Sequence, residues 1–225
     1  VQILTGYSFT TLPVLINVGG ENQNFYVHES LLRLSSKFFD AALNKEWQEG
    51  QSRVINLPES KPETFKVYVN WLYSGKLCVG DKPSAIPDSS IVWEGLILAY
   101  ILGDKLLDVD FKDAVLNAAG LETLREKENG IQYIAGPTRR RLLYDNTMPN
   151  TPLRRLVVRR LIMFGEPTNF QEDEPSAFLY DVIQEMSRKS TPTAQDFFEE
   201  LASCKYHEHE PGEENCYRNK RRYRQ

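Results

Sequence analysis

Histidine, cysteine, methionine and tryptophan are scarce in this sequence, with three of each among 225 residues. Cys78, Cys204 and Cys216 lie too far apart to form the disulfide framework of a small secreted domain, so a reducing compartment, cytoplasm or nucleus, is expected. No apolar run approaches the about 20 residues of a membrane-crossing helix. The nearest, Ile91 to Leu107, is interrupted by Glu94, Gly103, Asp104 and Lys105. A basic-then-apolar secretory start is also missing. The chain opens at Val1 rather than methionine, which leaves room for a segment upstream. Neither charge dominates: 27 basic against 31 acidic residues give a net charge of −4, which argues against non-specific nucleic-acid binding by the whole chain. G-x-S-x-G, the phosphate loop and G-x-G-x-x-G are absent, and no enzyme is expected. What remains is the composition of an ordinary globular protein, long enough for one sizeable domain and an appendage.

The stretch from Val14 to Phe39 organises the rest. Val14, Ile16 and Val18 alternate with Leu15 and Asn17, the period of a strand with one buried face. Gly19-Gly20 supplies the positive φ of a tight reversal, and Phe25 and Val27 mark a second strand. The period then changes. Leu31, Leu34 and Phe38 fall at helical spacing, and Ser35 or Ser36 is placed to cap a second helix.

His28-Glu29-Ser30-Leu31-Leu32 followed by Ser36-Lys37-Phe38-Phe39 resembles the signature of the BTB/POZ family. The likeness continues through a strand from Arg53 to Leu57 and a helix closing on Trp71-Leu72-Tyr73-Ser74-Gly75. It departs at Pro13-Val14, where the family usually has aspartate-valine. The wording is most similar to the fungal branch. The resemblance implies an α+β fold, a short mixed sheet flanked by a cluster of helices, with a C-terminal helical extension. On this reading residues 1–11 are a lead-in, 12–125 the BTB/POZ domain, 126–203 the extension, and 204–225 a polar Cys/His and basic tail.

Local signals place the elements. Phe38 to Leu43 reads as a helix and Asn44 to Ser52 as a polar loop. Ser60 and Glu63 stand at capping-box spacing around Pro62, and Gly75 ends the helix. Lys76 to Ser90 is turn-rich, Ile91 to Leu107 is apolar nearly all round, and Asp110 is read as the cap of the helix carrying Phe111, Val115 and Ala118. Beyond Glu122–Gly130 come amphipathic stripes: Leu153, Leu156, Val157, Leu161 and Phe164 after Thr151-Pro152; then Phe178, Leu179, Val182, Ile183 and Met186; then Phe197, Phe198 and Leu201 after Thr191-Pro192. Each is too short to stand alone and must pack on the core or its neighbours.

The family resemblance also points to a partner surface. BTB proteins that bind cullins carry a bulky apolar residue followed two positions later by glutamate, after the second core helix. Trp47 and Glu49 hold those places, and from the loop sequence alone Trp47 can equally fold back onto the core. A substrate adaptor for a cullin-type ubiquitin ligase is therefore the first reading, and a nuclear transcription-associated regulator the alternative. The basic groups Arg139-Arg140-Arg141, Arg154 to Arg160 and Lys220-Arg221-Arg222 read better as solvated faces than as nucleic-acid contacts. His28 reads as a structural hydrogen-bonding residue. Cys204, His207, His209 and Cys216 are four of the chain's six cysteine and histidine residues, and two thiolates with two imidazoles complete a tetrahedral set for zinc. His207-x-His209 is tight spacing, and flanking glutamates also suit a solvated tail, so a polar tail and a metal-bound knot both stand. No other cofactor and no membrane is expected. Partners are proteins, including a weak homodimer. Residues 1 to 12 carry no amphipathic helix to exchange between protomers. Light scattering behind size exclusion at micromolar concentration should give the same mass with or without residues 1 to 12; a tight dimer lost on that deletion would contradict this.

Overall fold

The computed structural model describes residues 12–44, 46–79, 89–125, 135–165, 170–188 and 193–220. The lead-in, much of the loop after Gly75, most of Glu122–Gly130, Thr191-Pro192 and the basic residues from 221 on lie outside the described residues.

The two strands read from the sequence pair antiparallel, β1 (Pro13–Val18) with β2 (Gln23–His28), Val14 facing Val27 and Ile16 facing Phe25. β3 (Val54–Leu57) joins the other edge of β1 in parallel, giving the order β2-β1-β3. Alternation buries Val14, Ile16, Val18, Val27, Ile55 and Leu57 on one face. The reversal is made by Gly19 (φ 79°) and Asn22 (φ 52°); Gly20 has no positive φ, so only the first glycine of the pair is conformationally required.

Helices cover the buried face. α1 (Glu29–Ser35) runs directly into α2 (Lys37–Ala42) through Ser36, whose hydroxyl accepts from Phe39 N at 3.1 Å. A short α3 (Gln48–Ser52) occupies what the sequence reads as loop, because Asn44 O and Trp47 O accept from Trp47 N and Gln51 N and start a turn. α4 (Pro62–Ser74) has Lys61 at its N-cap with no side-chain cap bond, so the capping box expected from Ser60 and Glu63 is not formed; Pro62 itself sets the start. Gly75 ends it at φ 66°. α5 (Ser89–Lys105) buries Trp93, Ile97, Tyr100 and Leu102 and packs on α4 and on α6 (Val109–Leu124).

The cap of α6 is Asp108, not Asp110. Asp108 Oδ1 accepts from Phe111 N at 2.9 Å, and Asp110 instead holds Lys220 at 2.6 Å. The error is one of register, since both aspartates lie just before Phe111 and only the turn geometry separates them. Asp108 is fully buried, and its Oδ2 also accepts from the hydroxyls of Tyr68 (2.9 Å) and Ser35. Beside it, the Ser36 hydroxyl donates to Leu106 O at 2.5 Å. One turn thus ties α1, α2 and α4 to the α5–α6 corner.

The extension continues the same core. α7 (Pro137–Asp145), α8 (Pro152–Phe164) and α9 (Ser176–Met186) contribute Leu143, Leu153, Leu156, Val157, Leu161, Phe178 and Val182 to one hydrophobic cluster with the sheet. α10 (Ala194–Ala202) has a capping box between Thr193 and Asp196 and buries Phe197. Among the described residues no helix is long and apolar enough to cross a membrane.

Replacing Asp108 by alanine strips a cap and leaves the Tyr68 hydroxyl and Phe111 amide without their buried acceptor, so a stability loss of about 3 kcal/mol is expected. Asp108→Asn, which keeps an acceptor, should lose about half of that. Urea unfolding midpoints check both; an alanine variant as stable as the wild type would refute the role given to this side chain.

Candidate functional site

Trp47 and Glu49 sit on α3, and several contacts brace that helix. α2 ends as Leu43 N bonds Phe39 O, and the Asn44 carbonyl then receives Trp47 N at 3.0 Å. Gly50 crosses the same carbonyl so closely that a Cβ there would lie 2.1 Å from Asn44 O. At the other end Arg53 turns the chain into β3 with φ 57°, and its guanidinium holds Glu29 at 2.8 Å. The indole of Trp47 gains no cover from this bracing: it is 61% exposed, and Glu49 is exposed beside it. Trp71 and Trp93, by contrast, are buried. The indole is therefore an outward side chain on a braced support and not part of the core.

A second apolar surface lies on α9. The sequence stripe from Phe178 to Met186 merges two faces. Phe178 and Val182 point inward, Phe178 edge-on to Tyr144 at 5.6 Å, whereas Leu179, Ile183 and Met186 point out with Tyr180. The outward set repeats at four and three residues, so it forms one strip along the helix.

Of the arginines in 139–141 and 154–160, Arg141 and Arg155 lie exposed, as composition suggests, but the others do not form a solvated face. Arg154 and Arg160 are buried. Arg154 lies over the Tyr144 ring at 4.1 Å and donates to Tyr144 O and Thr147 Oγ1; Arg160 lies over Phe164 at 4.4 Å and donates to Thr123 O. Burial pulls the Arg160 guanidinium down to about 10. Arg159 bridges Glu185 (3.0 Å) and Glu200 (2.6 Å). Burial opposes the charge on Glu200, yet hydrogen bonds from Lys205, Arg159 and Tyr206 hold its carboxyl below the usual range. Arg139, Arg140 and Arg141 meet Glu94, Glu174 and Asp173 respectively, the Arg140–Glu174 pair being buried with Nε–Oε2 at 2.9 Å. Periodicity did not disclose these roles, because an arginine stacked on an aromatic ring and bonded to carbonyls is buried for reasons set by helix crossing.

From Cys204 to Lys220 the chain is folded against α6, two 3₁₀ turns (Glu213–Asn215 and Tyr217–Asn219) following in close order. Tyr206 and Cys216 are buried. Tyr217 stands edge-on to Trp71 at 5.6 Å and accepts from Asn117 Nδ2 at 2.5 Å. Glu208 receives the Tyr100 hydroxyl, and Lys112 Nζ donates to both Glu208 and Asp104 at 2.6 Å. Residues 204–220 are thus packed on the domain rather than extended from it. This packing brings Cys204, His207, His209 and Cys216 together, with one donor atom from each lying within 4.8 Å of all the others. Asp113 abuts them, its Oδ2 3.9 Å from His207 Nδ1 and its Oδ1 accepting from Glu208 N at 2.7 Å. Burial pushes the Asp113 carboxyl up to about 6 and the His207 imidazole down to about 4.

His28 faces Tyr73, its Nδ1 2.7 Å from the Tyr73 hydroxyl, and that hydroxyl also accepts from His28 N at 3.2 Å. The histidine therefore joins the end of β2 to the end of α4. That is the structural part expected of it.

A short mixed sheet of three strands roofed by helices, continued by a helical C-terminal part, defines an α+β fold. The family model for the BTB/POZ domain matches residues 9–88 of the chain, and the chain carries a BTB/POZ domain. Such domains are protein–protein interaction modules that also form homodimers. No curated protein matches the chain. The matched segment stops short of α5, while the core runs on through α5 and α6 into the extension.

Gly50→Ala should cost about 2 kcal/mol, because the new methyl meets a backbone carbonyl that cannot rotate away. Gly20→Ala, where an added Cβ meets nothing within 4 Å, is the control and should be near neutral. Chemical denaturation of the two variants side by side checks the difference; equal stabilities would mean that α3 is not fixed by this crossing.

Proposed function

We propose that this BTB/POZ protein is a substrate adaptor for a cullin-type ubiquitin ligase and that Trp47 and Glu49 form part of its scaffold-binding face. The observation that carries the reading is the exposed indole on a braced support. An anchor that pays little ordering entropy on binding retains more of its contact energy, and a tryptophan offers the largest single area to a partner groove. Glu49 at the rim can meet a cationic or hydroxyl group and set register. The outward strip Leu179, Ile183 and Met186 on α9 supplies a second apolar surface on the same core, suited to a substrate or to widening the scaffold contact. An adaptor needs no catalytic group, only two faces on one framework. Assembly of a transcription-associated complex through the BTB domain is the other use of such a module; nothing in the arrangement of Lys220, held by Asp110, speaks for it.

Titration calorimetry against the N-terminal region of a cullin from the same organism tests the proposal. Trp47→Ala should weaken binding by about 2 kcal/mol and leave the unfolding midpoint unchanged, since the indole is largely exposed. Absence of binding by the wild type would remove the adaptor reading, and binding indifferent to the substitution would remove this site.

A further inference from the structure

The geometry points to a structural zinc site formed by Cys204, His207, His209 and Cys216, which clasps the C-terminal segment onto α6. The first ground is the ligand set. Two thiolates and two imidazoles match the softness and the four-coordinate preference of zinc, and a set with no open position is structural rather than catalytic. Bond lengths of about 2.0–2.3 Å put tetrahedral donors about 3.3–3.8 Å apart. Cys216 Sγ is already 3.6 Å from His207 Nδ1, and the whole set lies within 4.8 Å, so contraction by about an ångström completes it.

The second ground is how the two histidines are held. Two histidines one residue apart can each offer an ion either ring nitrogen, and the nitrogens offered need not match. Here they differ. His207 has its Nε2 on Asn117 Oδ1 at 3.0 Å, which leaves Nδ1 toward Cys216. His209 has its Nδ1 on the Glu210 carbonyl at 2.7 Å, which leaves Nε2 for the cluster. That Nε2 is buried and has no hydrogen-bond partner among the described residues. An imidazole that donates one N–H to an oxygen and holds its other nitrogen ready is the arrangement of a metal-bound histidine. A buried nitrogen left without a partner would otherwise be a cost with no return.

The third ground is the turn between the ligands. Gly212 takes φ 119°, and a Cβ there would meet the Glu214 carboxylate at 2.3 Å. This turn carries the chain from His209 back to Cys216. Asp113, on α6, stands as an outer carboxylate, and Arg218 lies near both His207 and Cys204, so the surroundings carry charges of both signs. Coordination would fix His207, hence its bond to Asn117, hence the seat of Tyr217 against Trp71. The ion would thus lock the chain end to the domain that precedes it.

The test uses the full chain, purified with no histidine tag left on it and equilibrated with equimolar zinc before desalting. Mass spectrometric metal analysis should give about one equivalent for the wild type and for Cys78→Ser, and less than about a tenth for Cys204→Ser and for His209→Asn. Cys204 is exposed and His209 only half-buried, so these variants stay informative if changing the buried Cys216 unfolds the segment. Cobalt in place of zinc should give the visible bands of a tetrahedral thiolate site. A chelator should speed proteolytic cleavage between residues 204 and 216 at least about tenfold, because the apo knot loses its staple. Less than a tenth of an equivalent in the wild type, zinc retained equally by both ligand variants, or Cys204 and Cys216 found joined as a disulfide in a zinc-free protein would each overturn the site.

Discussion

A carboxyl group with no access to water must find donors, and Asp108 finds them on three different elements. Its oxygens take the amide that opens α6, the hydroxyl of Tyr68 on α4 and that of Ser35 at the end of α1. The neighbouring Ser36 caps α2 and at the same time donates to Leu106 at the α5–α6 corner. A sheet of three short strands buries too little by itself to order a domain. Its helices must be held in one arrangement, and a buried polar junction does so directionally where apolar contact alone would tolerate sliding. Leu107, beside the junction, is left at φ 52°, which shows how tightly the corner is drawn.

The extension obeys the same rule with cations. Arg140, Arg154 and Arg160 are buried in the small helices after α6, each lying over an aromatic ring. Arg140 satisfies its charge with Glu174, while Arg154 and Arg160 spend their N–H groups on backbone carbonyls. Such groups stabilise little compared with well-packed apolar residues, but they penalise every packing in which they lose their partners. Helices of nine to thirteen residues, α7 to α10, are thereby given a defined seat. The consequence for function is one continuous framework. The helices that carry Trp47 and the outward strip of α9 are both attached to that one framework, while these side chains themselves stay exposed.

The end of the chain shows a third form of the constraint. Residues 204–220 hold few apolar side chains, and their attachment rests on polar contacts to α6 and its neighbours: Lys112 to Glu208, Glu208 to Asp113, Asn117 to Tyr217 and Lys220 to Asp110. Hydrogen bonds and ion pairs at a half-exposed seam contribute modestly each, which is the situation in which small domains turn to covalent or metal cross-links.

Periodicity determined the strands and most helices, because alternation and helical spacing are local consequences of burying one face. The β1–β2 reversal, the Ser36 cap, the stop at Gly75 and the match to the BTB/POZ family were all readable in residues 14–75. The concentration of cysteine and histidine near the end was readable too, as composition. Tertiary structure decided what local pattern leaves degenerate. Asp108 and Asp110 are equivalent as caps until the corner is built. Leu179, Ile183 and Met186 are as apolar as Phe178 and Val182, and only the crossing of α9 over α7 and α8 selects which face is covered. Arg154 and Arg160 of α8 are polar by composition and interior by position, since the rings and carbonyls that accept them are brought there by the fold. Whether four cysteine and histidine side chains spread over thirteen residues come together depends on Asn117 and Asp113, nearly a hundred residues earlier, and no local rule contains that distance.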